Sequence, residues 1–209
     1  GIQNSHPYLK GRIIQEYDVE PGDYSGRHGT FVAGIIVSTS PKVRIVDVHV
    51  FNDDGTATMS KILKGLDYIA SHASRTYGPK VASFSWGIPP SYISFSLNNP
   101  DPVSMAVKNL IKKGIVVVAA AGNSDAMLSK GDNIHIPGAL PDVICVAAVD
   151  SNGKAAYFTS MGPAVDGVQK PDIAAPGVSV YSTVPNGYSS GSGTSYATPF
   201  ITAIVAQML

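Results

Sequence analysis

Short apolar runs alternate with longer segments of helical periodicity along this 209-residue chain. The runs have the length of buried strands and are bounded by turn-forming residues, which predicts strands at Val43–Val50, Val81–Trp86, Ile115–Ala121, Val143–Val149 and Val178–Val184. The periodic segments predict helices at His28–Ser38, Ser60–His72, Pro102–Lys113 and Ser195–Leu209. This alternation is typical of βαβ units, so we expect an α/β fold in three layers, with a mainly parallel central sheet covered by helices on both faces.

Composition narrows the classes of function. The formal charge is zero, from 15 basic and 15 acidic residues, and no basic run is present, which argues against nucleic acid or an anionic membrane as a partner. No window approaches 18 consecutive apolar residues, so no transmembrane helix is expected. Cys145 is the only cysteine and lies in an apolar run, which indicates a core residue rather than a nucleophile and excludes an internal disulfide.

Three segments carry residues suited to nucleophilic catalysis. In residues 193–199, Ser195 lies between small residues where a loop runs into an apolar helix, and a helix N-terminus stabilises negative charge. His28 begins the stretch 28–34, and the ordinary pKa of histidine suits a general base near neutral pH. Asn123 follows a predicted buried strand, so its amide is expected at the strand's carboxyl end, where it can donate to a developing oxyanion.

Together the three segments resemble the subtilisin-like serine proteases (subtilases), with His, Asn and Ser in the family's order, and the resemblance extends from Gly1 to Leu209. It implies a subtilisin-like fold and a serine endopeptidase that hydrolyses peptide bonds through an acyl-enzyme. Ser195 would be the nucleophile, His28 the general base, and Asn123 with the Ser195 amide the oxyanion hole. The resemblance also implies a secreted protease, at an extracellular or cell-envelope location.

Substrate-binding residues follow from the same resemblance. Ser85, Trp86, Gly87 and Gly122 match segments that flank the pocket for the residue before the scissile bond. Gly55, Ala57 and Met59 match the edge that pairs with extended substrate, and Met59 with Ile62 the apolar pocket further upstream, although core packing explains Ile62 equally well. Because the pocket segments carry no charge, we expect uncharged, apolar or aromatic residues before the cleaved bond. The other histidines, His6, His49, His72 and His135, are interpreted as surface or satisfied core residues.

The aspartate of the family's triad has no obvious counterpart. Residues 1–7 resemble the continuation of an Asp-Thr-Gly motif, which would place that aspartate two residues before Gly1. Residues 1–209 are therefore predicted to be a subtilase-type peptidase domain without its N-terminal strand and C-terminal segments, and inactive alone. Two alternatives stay open: a separate chain supplies the aspartate, or Asp18 or Asp23 substitutes, although both are expected to be solvated turn residues.

The implied chemistry requires no cofactor, and no metal ligands are predicted. The connection 38–42 is short, so the calcium-binding loop of several relatives is expected to be absent; calcium elsewhere is compatible with the resemblance, but no ligands can be assigned. The implied partners are polypeptide substrates and a pro-segment or inhibitor. The rival interpretations are a non-catalytic binding or regulatory module of the same fold, and one chain of a two-chain protease.

Overall fold

The computed structural model describes residues 1–20, 26–52, 54–72, 78–92, 96, 98–124 and 133–209. The strands are β1 (Ile13–Asp18), β2 (Ile45–His49), β3 (Val81–Phe84), β4 (Val116–Ala120), β5 (Ile144–Val149), β6 (Ile173–Pro176), β7 (Val180–Val184) and β8 (Gly187–Gly191). The helices are α1 (Arg27–Thr39), α2 (Met59–His72), α3 (Pro102–Lys112) and α4 (Thr194–Met208). None of the helices in these ranges is long and apolar enough to cross a membrane.

The four predicted helices form within one or two residues of their expected bounds, and α3 shows why. The Asp101 side chain accepts hydrogen bonds from the amides of Val103 and Ser104 at 2.8 and 3.1 Å, and Pro102 occupies the first turn. Such a cap contributes about 1 kcal/mol to helix stability. The helix stops before Gly114, whose φ of 81° ends the helical path.

Parallel pairing dominates the sheets. Strands β3, β4, β5 and β6 form a four-stranded parallel sheet in that order, and β1 pairs in parallel with β2. The predicted strand at 178–184 is present as β7, but it forms an antiparallel hairpin with β8, because the tight turn at Asn186 (φ 63°) returns the chain directly. β1, β6 and β8 were not predicted, since polar or exposed residues interrupt their apolar pattern.

Successive residues of β4 show the three layers. Val117 and Ala119 lie in an apolar cluster with residues of α2 and α3, whereas Val118 lies in a second cluster with Ala197 and Ile201 of α4. Because neighbouring side chains of a strand point to opposite faces, this sheet is covered by helices on both sides. The predicted α/β fold is confirmed. Cys145 is fully buried in β5, and burial raises the pKa of its thiol to about 12, as befits a core residue.

A cavity of about 1350 Å³ separates the two parallel sheets. It is lined by β2 on the side of the two-stranded sheet and by β3 on the side of the four-stranded sheet, and His28 borders it. In the described ranges β2 has a sheet partner only in β1, and β3 only in β4. One edge of β2 and one edge of β3 therefore pair with no other strand among the described residues.

Candidate active site

Ser195 is the second residue of α4 and is half-buried. The chain enters the helix through Gly193, whose amide donates to the Gly177 carbonyl at 2.8 Å, and Thr194 is completely buried. The Ser195 side chain thus emerges at a helix N-terminus that is anchored on both sides. Free amides at such a terminus stabilise negative charge, as an oxyanion requires.

Asn123 is tied to the same terminus. Its Oδ1 accepts hydrogen bonds from the Thr194 amide at 2.9 Å and from Thr194 Oγ1 at 3.0 Å. Two donors on one atom fix the orientation of the carboxamide, because the opposite orientation would set NH₂ against N–H. A Cβ added at Gly193 would lie 3.5 Å from Nδ2, which places the donor end beside the entry to α4. Asn123 is therefore oriented to donate near Ser195.

His28 is the second residue of α1, and the first turn of this helix packs against the N-terminal residues. A Cβ on Gly29 would lie 2.3 Å from the Gly1 carbonyl oxygen, so glycine is required for this approach. Desolvation by the surrounding protein lowers the pKa of His28, whereas its hydrogen bond to the Ser85 backbone raises it. His28 also borders the cavity and is exposed, so contact with solvent weakens this lowering of its pKa.

The carbonyl oxygen of Ser85 lies within hydrogen-bond distance of both Ser195 and His28. Ser195 Oγ donates to it at 2.9 Å, and His28 Nε2 lies 3.1 Å from the same atom. Since a carbonyl only accepts, Nε2 carries the proton, and a neutral ring then has its lone pair on Nδ1. In this arrangement Nε2 cannot accept the Ser195 proton. A carboxylate that accepts from Nδ1 would reverse the tautomer and direct the Nε2 lone pair to Ser195.

Asp18 and Asp47 have partners other than His28. Asp18 Oδ1 lies 3.5 Å from His49 Nδ1 and accepts from the Glu20 amide at 3.2 Å; neither contact involves His28. Asp47 borders the cavity, and its Oδ2 accepts from the Ile2 amide at 2.6 Å. Asp23, the other predicted substitute, lies outside the described residues. In the described ranges no group of three or more His, Cys, Asp and Glu residues is arranged to hold a metal ion.

The residues predicted to bind substrate further upstream lie just before α2 and at its first position. Gly55 takes a φ of 78° in a turn closed by its amide on the Asn52 carbonyl at 3.0 Å. Ala57 and Met59 are partly buried and pack against the core cluster that contains Ile62, which is only 6% exposed. Ile62 is therefore a core residue, and Met59 combines core contact with partial exposure.

The residues predicted to flank the pocket before the scissile bond lie in two segments, one at Ser85 to Gly87 and one at Gly122. Trp86 contacts two rings at tilted angles, with centroids 5.1 Å from Phe84 and 5.8 Å from Phe51, and the latter contact joins the segment after β3 to the segment before Gly55. Gly87 and Gly122 both lie against the side chain of His135. Sequence reasoning did not identify two neighbours of these residues: the backbone carbonyl of Ser85, which no side-chain pattern reveals, and the ring of His135, which was interpreted as a surface or satisfied core residue.

The model of the subtilase family matches residues 1–209. The chain belongs to the subtilase family. Serine protease AprX of Bacillus subtilis (strain 168) is 32% identical over 242 residues, covering 98% of this chain and 54% of AprX. Thermitase of Thermoactinomyces vulgaris is 33% identical over 223 residues, covering 100% of this chain and 71% of thermitase. The solved structure of sphericase superposes with a TM-score of 0.80 at 31% identity, covering 100% of this chain and 74% of sphericase.

These similarities confirm the predicted family and support a serine peptidase at the level of the family. This subtilase chain spans about half the length of AprX.

Proposed function

We propose that this chain is the peptidase domain of a serine endopeptidase that cleaves polypeptides through an acyl-enzyme. Ser195 is the nucleophile, His28 the general base, and the Ser195 amide with Asn123 Nδ2 the oxyanion hole. The observation that carries the proposal is the convergence of Ser195 Oγ and His28 Nε2 on one carbonyl oxygen, at a helix terminus that also holds Asn123.

The reaction follows from these positions. Ser195 Oγ forms a bond to the substrate carbonyl carbon while its proton passes to His28, and the carbonyl oxygen becomes an oxyanion that the two donors stabilise. His28 then gives the proton to the leaving amine as the peptide bond breaks, and a water molecule repeats the sequence to release the acyl group. Because Asn123 is already oriented by Thr194, its donor needs no reorganisation when charge develops.

The base requires one further group. With Nε2 donating to the Ser85 carbonyl, His28 has the wrong tautomer for accepting the Ser195 proton. The cavity between β2 and β3 offers two strand edges and opens onto His28, which suits an extended segment that pairs with both sheets and presents an aspartate to Nδ1. We infer that this segment, from the same polypeptide or another, completes the site, and that residues 1–209 alone have negligible activity.

The family context extends the proposal to partners and location. Polypeptide substrates, a pro-segment or inhibitor, and an extracellular or cell-envelope location are what a protease of this family suggests. The chemistry uses no cofactor.

Labelling with a fluorophosphonate tests the proposal. With a segment that carries the aspartate strand in place, the probe should react with Ser195, and Ser195→Ala should abolish labelling. Ser151→Ala, at an exposed turn, is the matched control and should label normally. Labelling that persists at another serine in Ser195→Ala would refute the assignment. No labelling of the intact protein with the segment bound would favour a non-catalytic binding module of the same fold.

A further inference from the structure

His135 is held between the two segments that border Ser195. Its amide donates to the Ala121 carbonyl at 2.8 Å, in the segment that leads to Asn123. The next residue, Ile136, exchanges two backbone hydrogen bonds with Ile88, at 2.8 and 2.9 Å, in the segment that follows Ser85. Ile134 and Ile136 are fully buried, so the backbone on both sides of His135 is anchored in the core.

The imidazole fills the space between two glycines. A Cβ added at Gly87 would lie 2.6 Å from His135 Cβ and 3.2 Å from Nδ1. A Cβ added at Gly122 would lie 2.4 Å from Cδ2 of the same ring, and a φ of 113° independently favours glycine there. Distances under 3 Å are not tolerated between such atoms, so the two glycines and the histidine fit together as one wall.

This wall stands beside the reacting atoms. Gly87 lies two residues after Ser85, whose carbonyl accepts from Ser195 Oγ, and Gly122 directly precedes Asn123. A substrate carbonyl held between Ser195 and Asn123 would lie beside both segments, which brings the side chain of the same residue close to Gly87 and Gly122. A ring between Gly87 and Gly122 therefore reduces the space available to that side chain.

Resting on the proposed protease function, we infer that His135 is a specificity-determining residue: its ring closes the pocket for the residue before the scissile bond and selects small, uncharged side chains such as alanine. The sequence alone predicted that aromatic residues are also accepted before the cleaved bond, and this inference excludes them. The ring supplies bulk and takes no part in proton transfer.

The hydrogen bonds of the ring leave the pocket uncharged. Ser124 Oγ lies 2.7 Å from His135 Nε2, and the Gly87 backbone interacts with the ring as well. Burial lowers the pKa of His135, and the bond to Gly87 only partly opposes this. The ring is therefore neutral near pH 7, and its described neighbours Gly87, Gly122 and Ser124 carry no charge. Acidic side chains gain no ion pair from these described neighbours.

The test measures hydrolysis of peptides that differ only in the residue before the cut, alanine or phenylalanine, by the full-length protein with its strand-supplying segment. The ratio of kcat/KM for the two peptides is internal to each variant, so a partly unfolded preparation does not distort it. The wild type should favour alanine. His135→Gly should shift the ratio toward phenylalanine by about 10-fold or more, the size of effect that pocket volume produces.

Two control variants separate bulk from hydrogen bonding. His135→Gln keeps much of the volume and should retain the wild-type ratio, and Ser124→Ala removes only the hydrogen bond to Nε2 and should do the same. A wild-type preference for phenylalanine, or an unchanged ratio in His135→Gly with Ser195-dependent hydrolysis intact, would overturn the inference and leave the protease function standing. Absence of any Ser195-dependent hydrolysis would overturn both.

Discussion

Asn123 and His28 serve the same serine in the proposed reaction, but they are held in different ways. Asn123 accepts two hydrogen bonds from Thr194, which is completely buried in a helix terminus. Among the described residues, the His28 ring bonds to a backbone carbonyl that Ser195 also uses, and it borders a large cavity. The oxyanion side is thus preorganised by the described residues, whereas the base side depends on what occupies the cavity.

The strongest test of this difference fills the cavity. A segment carrying the aspartate strand, added to residues 1–209, should restore both peptide turnover and a high melting temperature. The same segment with asparagine in place of aspartate should restore melting but leave turnover lower by about 3 × 10⁴, the loss found in subtilisin, a member of the same family, when its triad aspartate is removed. Turnover of an uncharged peptide and thermal melting are the two measurements.

Two results would contradict this expectation. Full activity of residues 1–209 without any added segment would show that a carboxylate already in the chain serves His28. Equal turnover with the aspartate and asparagine segments would show that strand pairing alone, and not the carboxylate, completes the base.

Removing the oxyanion donor should have the next largest effect. Asn123→Ala in the completed protease should lower kcat by about 10²- to 10³-fold, the range known from subtilisin, with a smaller change in KM, because the donor acts on charge that develops only in the transition state. Asn152→Ala, in an exposed turn, is the matched control. If Asn123→Ala mainly raises KM and leaves kcat nearly unchanged, Asn123 contributes to binding of the substrate in its ground state instead.

The support of Asn123 should matter less than Asn123 itself. Thr194→Val removes the hydroxyl that donates to Asn123 Oδ1 and accepts from the Gly122 amide at 3.3 Å, and kcat should fall by about 10-fold. Thr198→Val is the control: it removes a comparable buried hydroxyl bond, to the Thr194 carbonyl at 2.8 Å, without touching Asn123. Equal losses of kcat in the two variants would mean that helix stability, rather than the position of Asn123, is responsible.

The smallest expected effect concerns pH and stability. The pKa of His135 is lowered in the folded protein, mainly by burial, so the unfolded chain takes up its proton first as the pH falls below about 6.5. The stability contributed by the neutral ring is present above that pH and is lost as the pH falls through it toward the folded-state pKa. Melting temperatures between pH 7.5 and 5 should fall less steeply in His135→Gln than in the wild type. Parallel pH profiles would show that His135 does not contribute.

Sequence patterns predicted the elements whose apolar periodicity is regular and missed those that polar or small residues interrupt. The buried strand β4 and the four helices were predicted because their apolar periodicity is unbroken. β1 was missed because Gln15 and Glu16 interrupt it, and β7 was predicted as a strand without its antiparallel partner β8, whose serines and glycines give no strand pattern.

The site shows the same division. His28, Asn123 and Ser195 were predicted because their side chains lie in recognisable segments. The roles proposed for the Ser85 carbonyl and the His135 ring depend on tertiary placement, so one sequence without its fold does not reveal them.

In the proposed mechanism the occupant of the cavity decides the tautomer of His28, which ¹⁵N NMR of the imidazole can measure. Spectra of the ¹⁵N-histidine-labelled chain, with the His28 signals assigned from His28→Gln, report which ring nitrogen carries the proton. Near neutral pH, residues 1–209 alone should show the proton on Nε2, and addition of the aspartate segment should move it to Nδ1 as turnover appears. A proton that stays on Nε2 in the active complex would show that the aspartate segment does not set the tautomer of His28.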